Sequence, residues 1–175
     1  MKKIILILFI VILSLNVSAQ NSKEVKWYNF EDAVKLNKTE PRKIFIDVYT
    51  DWCGWCKKME QNTFTNPEIT KILNTKFYAV RFDAESNDKI TFSGREFINE
   101  KQTGRSTHQL AIALLNGKMS YPSIAYLNEK NQLLTAIPGY QTPENLEVIL
   151  NFLASDAFKT KSFQDYKANF KSSIK

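Results

Sequence analysis

Apolar residues fall along this chain in two rhythms. Ile44-Phe45-Ile46-Asp47-Val48-Tyr49 is almost continuously apolar and rich in β-branched and aromatic residues, the pattern of a strand covered on both faces and therefore central in its sheet. Phe77 to Asp83 predicts a second such strand. Ser123 to Leu127 and Leu133 to Ile137 predict two more, and the polar Asn128-Glu129-Lys130-Asn131-Gln132 between them predicts a hairpin. A further strand is expected around Val25 to Tyr28. Helical spacing takes over elsewhere. Asn29 is placed to cap a first helix running to Leu36. From Gly54 the composition turns helical through Met59 and Glu60. Asn66-Pro67-Glu68 then restarts a helix, with Asn66 as cap and Pro67 in the first turn, where its missing N–H is harmless. Gln109 to Leu115 reads as a short helix ended by Asn116-Gly117. Thr142-Pro143-Glu144 opens a helix whose Leu146, Ile149, Leu150 and Leu153 share one face. Apart from its short helix, the polar stretch from Ser86 to Lys118 predicts no regular element. The order β-α-β-α-β-α-β-β-α implies an α/β fold, a mixed sheet with helices on both faces.

The first nineteen residues carry a different signal. Lys2 and Lys3, the apolar run Ile4 to Leu13, and Val17-Ser18-Ala19 before Gln20 are the three parts of a cleavable secretory signal. The run is shorter than the roughly 20 residues a spanning helix needs. The expectation is a signal peptide over residues 1–19 and one domain over residues 20–175, periplasmic or secreted. The formal net charge of the whole chain is +6. Two of those positive charges leave with the leader, and the rest reads as an ordinary solvated surface. Export argues against a nucleic-acid partner.

Cys53-Gly54-Trp55-Cys56 holds the only two cysteines, at the point where strand gives way to helix. A tetrahedral zinc site needs four ligands, and two thiols with the single His108 cannot complete a set without dimerisation or carboxylate ligands. No metal or other cofactor is expected. Covalent haem attachment needs a histidine directly after the second cysteine, where Lys57 stands. A dithiol that cycles with a disulfide remains, to be weighed against a structural bridge in an oxidising compartment. A bridge closing so small a loop constrains the unfolded chain little, so stability is a poor reason for this pair.

Phe45-Ile46-Asp47-Val48-Tyr49-Thr50-Asp51-Trp52-Cys53-Gly54-Trp55-Cys56-Lys57, followed by Tyr121-Pro122-Ser123 before the hairpin and Gly139 after its second strand, resembles the thioredoxin family. The resemblance runs over roughly residues 25–153. It implies a thioredoxin fold, a central mixed sheet flanked by helices, with an insertion over about residues 86–118 and a C-terminal helical extension over residues 154–175. Exported proteins with this look are thiol:disulfide oxidoreductases. The chain departs from the family in three places. Trp55 stands where thioredoxin itself has proline, in the dipeptide that tunes reduction potential. The connection from Glu85 to Pro122 is much longer than in thioredoxin. The chain also continues past the last family helix into Phe158 to Lys175, where Phe163, Tyr166 and Phe170 can share one helical face, to pack on the body or to dock a partner.

At a helix start, unpaired backbone N–H groups and the helix dipole favour an anion. Cys53 is therefore the expected nucleophile: lowering a thiol pKa from about 8.5 to about 7 raises its thiolate fraction at neutral pH from roughly 3% to roughly half. Cys56, one turn inward, is expected to resolve the mixed disulfide. Asp47 is costly to desolvate in an apolar strand without a task or a partner. By resemblance it accepts the proton of Cys56 through water; a solvated aspartate at a sheet margin is the alternative. Pro122 matches the family's cis-proline, which places Tyr121 and Ser123 beside the cysteines for main-chain pairing with an extended client; an ordinary strand-start proline is the alternative. Trp52 and Trp55 flank the thiols as an apolar collar for partly unfolded clients, or as simple packing. Lys57 and Lys58 belong either to the thiolate's field or to a solvated helix face, and Arg81 falls where thioredoxin has a lysine near its buried aspartate. His108 is expected to be a surface or structural residue.

These readings converge on an exported, monomeric thioredoxin-like oxidoreductase that reduces or exchanges disulfides in envelope proteins and so serves redox homeostasis. Its expected partners are disulfide-containing or thiol client proteins and a membrane-embedded electron donor. A disulfide oxidant or isomerase is the alternative within this chemistry. A non-catalytic binding or chaperone module is the alternative outside it.

Overall fold

The computed structural model describes residues 24–100 and 105–174; the leader expected over residues 1–19 lies outside the described residues. A five-stranded sheet carries the molecule. Its strands are β1 (Trp27–Tyr28), β2 (Lys43–Tyr49), β3 (Phe77–Asp83), β6 (Ser123–Leu127) and β7 (Leu133–Pro138), in the order β1-β3-β2-β6-β7. β1 and β2 run parallel to β3, while β6 runs antiparallel to both β2 and β7. β2 is central, as its composition requires. Ile44, Ile46 and Val48 enter one buried cluster and Phe45 the other, so alternate side chains of this one strand feed two cores.

Helices cover both faces. α1 (Phe30–Leu36) and α4 (Gln109–Leu114) contribute Phe30, Ala33, Leu110, Ala111 and Leu114 to the Ile46 side. α2 (Gly54–Asn62), α3 (Pro67–Lys76) and α5 (Pro143–Ala154) contribute Met59, Ile69, Leu73, Leu146 and Leu150 to the Phe45 side. The helix starts follow the local chemistry. Asn66 Oδ1 accepts from the N–H groups of Glu68 and Ile69 at 3.0 and 3.3 Å, and Thr142 Oγ1 accepts from Asn145 N–H at 3.3 Å, each beside a proline whose absent N–H leaves one orphan fewer. Asn29 is the residue before α1 but makes no side-chain cap bond; its amide instead points to Asp32 at 3.5 Å.

The described residues of the insertion hold regular elements that their composition did not predict. β4 (Ile90–Phe92) and β5 (Arg95–Phe97) form a separate antiparallel hairpin. Its turn is Ser93-Gly94, both with positive φ (51° and 77°), the two-residue geometry that suits strand twist. Two three-residue strands are too short for a sequence rhythm to register. Behind the hairpin, His108 is wholly buried and is structural, not a surface residue. Its backbone N–H donates to Ala84 O at 2.7 Å, and its Nδ1 accepts from Leu110 N–H at 3.0 Å. Nε2 faces Asp88 O at 2.8 Å, which fixes the proton on Nε2.

The C-terminal extension packs on the body. A 3-10 turn (Ala157–Lys159) and α6 (Phe163–Ala168) bring Phe158, Phe163 and Tyr166 around Phe152 of α5, with ring centroids 6.3, 5.4 and 5.2 Å away. Glu147, buried on α5, accepts from Ser172 Oγ and Ser173 N–H. At the other end of the extension, buried Lys43 meets Glu129 of the hairpin and Asp156, both at 2.7 Å. Burial alone would push the Lys43 proton off, but the two carboxylates outweigh it and hold the ammonium above its ordinary pKa. Truncating Phe152 to Ala should therefore cost about 3 kcal/mol in urea unfolding. It should also open residues 157–174 to limited proteolysis while the Cys53–Cys56 reduction potential stays put.

Candidate active site

β2 ends at Tyr49, and the chain turns through Thr50-Asp51-Trp52 into α2, with Cys53 N–H donating to Thr50 O at 3.1 Å. Cys53 is the N-cap of α2. Its backbone is extended and its Sγ accepts from Cys56 N–H at 3.1 Å, so one orphan donor of the helix start already points at this sulfur. The two sulfurs are joined at 2.07 Å with Cα atoms 5.2 Å apart. Both cysteines are nearly covered, 5% exposed at Cys53 and 3% at Cys56, so any approach to Cys53 runs between the rings around it.

Two aromatic pairs make those walls. Trp52 meets Tyr121 edge-on at 6.0 Å, which brings the residue before Cys53 against the residue before Pro122. Trp55 meets Tyr140 at 5.5 Å, which brings in the loop after Gly139. The Tyr121–Pro122 bond is cis, and Pro122 O accepts from Gly139 N–H at 2.8 Å. Ser123 is buried, its hydroxyl donating to Ser120 O at 2.7 Å, so that side chain is committed to the turn. Trp52 and Trp55 are about half exposed, and each carries a cation on its face: Arg105 lies 4.5 Å from the Trp52 ring and Lys58 lies 4.8 Å from the Trp55 ring. The Trp52 indole N–H also donates to Glu85 at 3.1 Å. The walls are thus apolar rings edged by charged groups.

Asp47 lies on the face of β2 that α2 covers, and it is 1% exposed. Its partner across the parallel ladder is Arg81. The guanidinium does not close on it. Nε of Arg81 lies 3.5 Å from Asp47 Oδ2, while the two terminal nitrogens bond Glu60 of α2 at 2.6 and 3.2 Å. Neither Arg81 Nε nor Asp47 Oδ1 has a hydrogen-bond partner among the described residues. Burial pushes the Asp47 carboxyl up to about 7; nearby Arg81 lowers it and the Glu60 charge raises it, without cancelling the burial.

Tyr140, Glu60, Arg105 and Glu85 were not singled out from sequence. Glu60 had a signal: it follows Cys56 by four residues, on the same face of one helix. Tyr140 had its place after Gly139. Arg105 and Glu85 had none, because only the folded insertion brings them to Trp52. Among the described residues no cluster of three or more His, Cys, Asp or Glu is placed to hold a metal ion. A groove of about 630 Å³ between β7, α5 and the extension, lined by Ile137, Val148, Phe152 and Phe163 among others, includes none of the residues around the disulfide.

Residues 13–164 match the family model described as "Thioredox_DsbH: Protein of unknown function, DUF255". The chain is similar to spermatogenesis-associated protein 20 of Mus musculus, 32% identical over 81 residues, which are 46% of this chain and 10% of that protein. It is also similar to the thiol:disulfide interchange protein DsbD of Haemophilus ducreyi, 42% identical over 41 residues, 23% of this chain and 7% of that protein. The chain thus spans about a tenth or less of the length of these curated relatives. Among solved structures, one titled "DsbH Oxidoreductase" superposes with a TM-score of 0.54 at 16% identity, covering 79% of this chain and 87% of that one. That likeness is one of fold, and the fold is the thioredoxin fold, a mixed sheet between helices.

The raised Asp47 carboxyl has a consequence for stability. An acid whose pKa is higher folded than unfolded binds more protons in the native state, so stability falls as pH rises between about 4 and about 7. Urea unfolding of the disulfide form should show Asp47→Asn gaining on the wild type across this interval, by at most about 4 kcal/mol at pH 8. A gain independent of pH would mean that Asp47 is ionised throughout.

Proposed function

The chain belongs to the thioredoxin-like DsbH (DUF255) family, and from that membership we propose that it is an exported thiol:disulfide oxidoreductase acting on disulfides of envelope proteins. The observation that carries this reading is the bonded Cys53–Cys56 pair at the N-terminus of α2, walled by Trp52–Tyr121 and Trp55–Tyr140. The leader sequence supports export. The similarity to a stretch of a thiol:disulfide interchange protein supports exchange as the chemistry.

In the reducing direction the protein starts as a dithiol. Cys53 thiolate, favoured by the helix start, attacks one sulfur of a client disulfide, forms a mixed disulfide and releases the client's other sulfur as a thiolate that takes a proton. Cys56 then gives its proton to Asp47 and attacks Cys53 Sγ. The Cys53–Cys56 bond forms, the client's second thiolate leaves, and two electrons have passed from protein to client. A carboxyl that binds its proton up to about 7 suits this transfer near neutral pH. Clients approach along Tyr121 and Pro122, with the two tryptophans gripping apolar side chains. Each turnover consumes the dithiol, so a reductase outside the cytoplasm needs electrons delivered, and a membrane-embedded partner is the source we assign. Among the described residues no helix is long and apolar enough to cross a membrane.

The direction of transfer is read from the potential of the pair: near −270 mV for a reductase, near −120 mV for an oxidant, as order-of-magnitude marks. Cys53→Ser should abolish insulin reduction, and Cys56→Ser should accumulate a mixed disulfide with its client that mass spectrometry can name. Retention of cellular function by Cys53→Ser would replace this reading with that of a non-catalytic binding module.

A further inference from the structure

The Asp47 carboxyl, the Arg81 guanidinium and the Glu60 carboxyl form a line from the buried sheet to solvent, 1%, 23% and 49% exposed in that order. An arginine opposite a buried aspartate would ordinarily close a paired, charge-assisted contact with it. Here both terminal nitrogens are given to Glu60, and Nε stops 3.5 Å from Asp47 Oδ2 without a hydrogen bond to it. The guanidinium also lies 4.5 Å from the Tyr49 ring and 5.8 Å from the Trp27 ring. Glu60 sits one helical turn beyond Cys56 on α2, so the helix that carries the resolving thiol also carries the group that restrains Arg81.

We propose that Glu60 is a positioning residue for the exchange reaction: by occupying the fork of Arg81 it holds the cation one step short of Asp47 and leaves that carboxyl able to take the proton Cys56 must lose. The proposal rests on the oxidoreductase reading above and adds what sets its proton step. The groups facing Asp47 are few. β3 presents Arg81, α2 presents Glu60, and β6 presents Ile124 across the ladder. Tyr49 on the same strand and Asp83 at the end of β3 lie in the same electrostatic neighbourhood, acting on one another and with Arg81. Released from Glu60, Arg81 would complete the contact and favour the ionised carboxylate. With Arg81 removed, no cation among the described residues opposes the burial. The two substitutions therefore move Asp47 in opposite directions, which a merely structural role for the pair would not do.

The test uses the reduced full chain with selectively 13C-labelled aspartate, following the Asp47 carboxyl carbon by NMR from pH 4 to 10. Single-turnover exchange with the neutral 2-hydroxyethyl disulfide is measured over the same range. Glu60→Gln, with Glu60→Ala as a second variant, should lower the Asp47 midpoint by about half a pH unit or more, and Arg81→Gln should raise it by a similar amount. The pH–rate profile should shift with each. An unmoved or raised midpoint in both Glu60 variants overturns the proposal. The function itself fails on a different result, wild-type protein that exchanges no disulfide at any pH. An Asp47→Asn profile superimposable on wild type would instead remove Asp47 as the proton acceptor and the proposal with it.

Discussion

Burying one carboxyl in the central strand is the constraint around which this structure is organised. An ionised, unpaired carboxylate in the interior costs several kcal/mol even after relaxation, and a protein normally answers with a full ion pair or with a neutral group. Asp47 has neither in complete form. It faces Arg81 across the ladder in a long ion pair of 3.5 Å, and one of its oxygens has no partner among the described residues. The result is a group poised between protonated and ionised near neutrality, an expensive arrangement in stability and a useful one for moving a proton. The parallel register of β2 with β3 sets Arg81 opposite, and the descent of α2 over that face supplies Glu60.

The disulfide depends on the same strand. β2 is covered on both faces, so the end of the strand and the start of α2 are held by two cores at once. The sulfur at the helix start needs that rigidity, because its electrostatic advantage comes from N–H groups aimed at one point and decays within a turn. The rings of Trp52 and Trp55 then narrow the approach. Each is braced by a tyrosine from a different loop and roofed by a cation, so access is governed by contacts among α2, the Pro122 loop, the Gly139 loop and the insertion together.

What could be read from sequence divides along physical lines. The strand Phe77–Asp83, the Asn66-Pro67 and Thr142-Pro143 helix starts and the Ser123–Leu127 strand were legible because burial rhythm and capping chemistry are local. The hairpin of β4 and β5 was not, although Ser93-Gly94 marked its turn, because strands of three residues carry no period. His108 in a polar stretch looked like a surface or structural residue; its burial comes from carbonyl and amide partners at Ala84, Asp88 and Leu110, none of which has a sequence signature. Within the site, the cysteines, Asp47 and Pro122 announced themselves by motif. Glu60 and Tyr140 matter through contacts that only the folded chain makes, and a helical offset of four was the sole hint of the first.

The same face of β2 offers an internal comparison that bears on why Asp47 is left short of a partner. Lys43 begins that strand and is 4% exposed, yet its ammonium meets two carboxylates at 2.7 Å, one from the β6–β7 hairpin and one from the C-terminal extension. Four residues along, with an arginine already opposite, the chain stops at 3.5 Å and gives the guanidinium's better geometry to a half-exposed glutamate. Chance frustration is a poor account of this difference, since the fold has shown at Lys43 that it can bring distant segments together to satisfy one buried charge. Local rules in proteins are most often broken where function requires it. A paired Asp47 would be a stabilising ion pair with a low proton affinity, unable to receive a thiol proton. On the proposal above, the restraint exercised by Glu60 keeps it from becoming one.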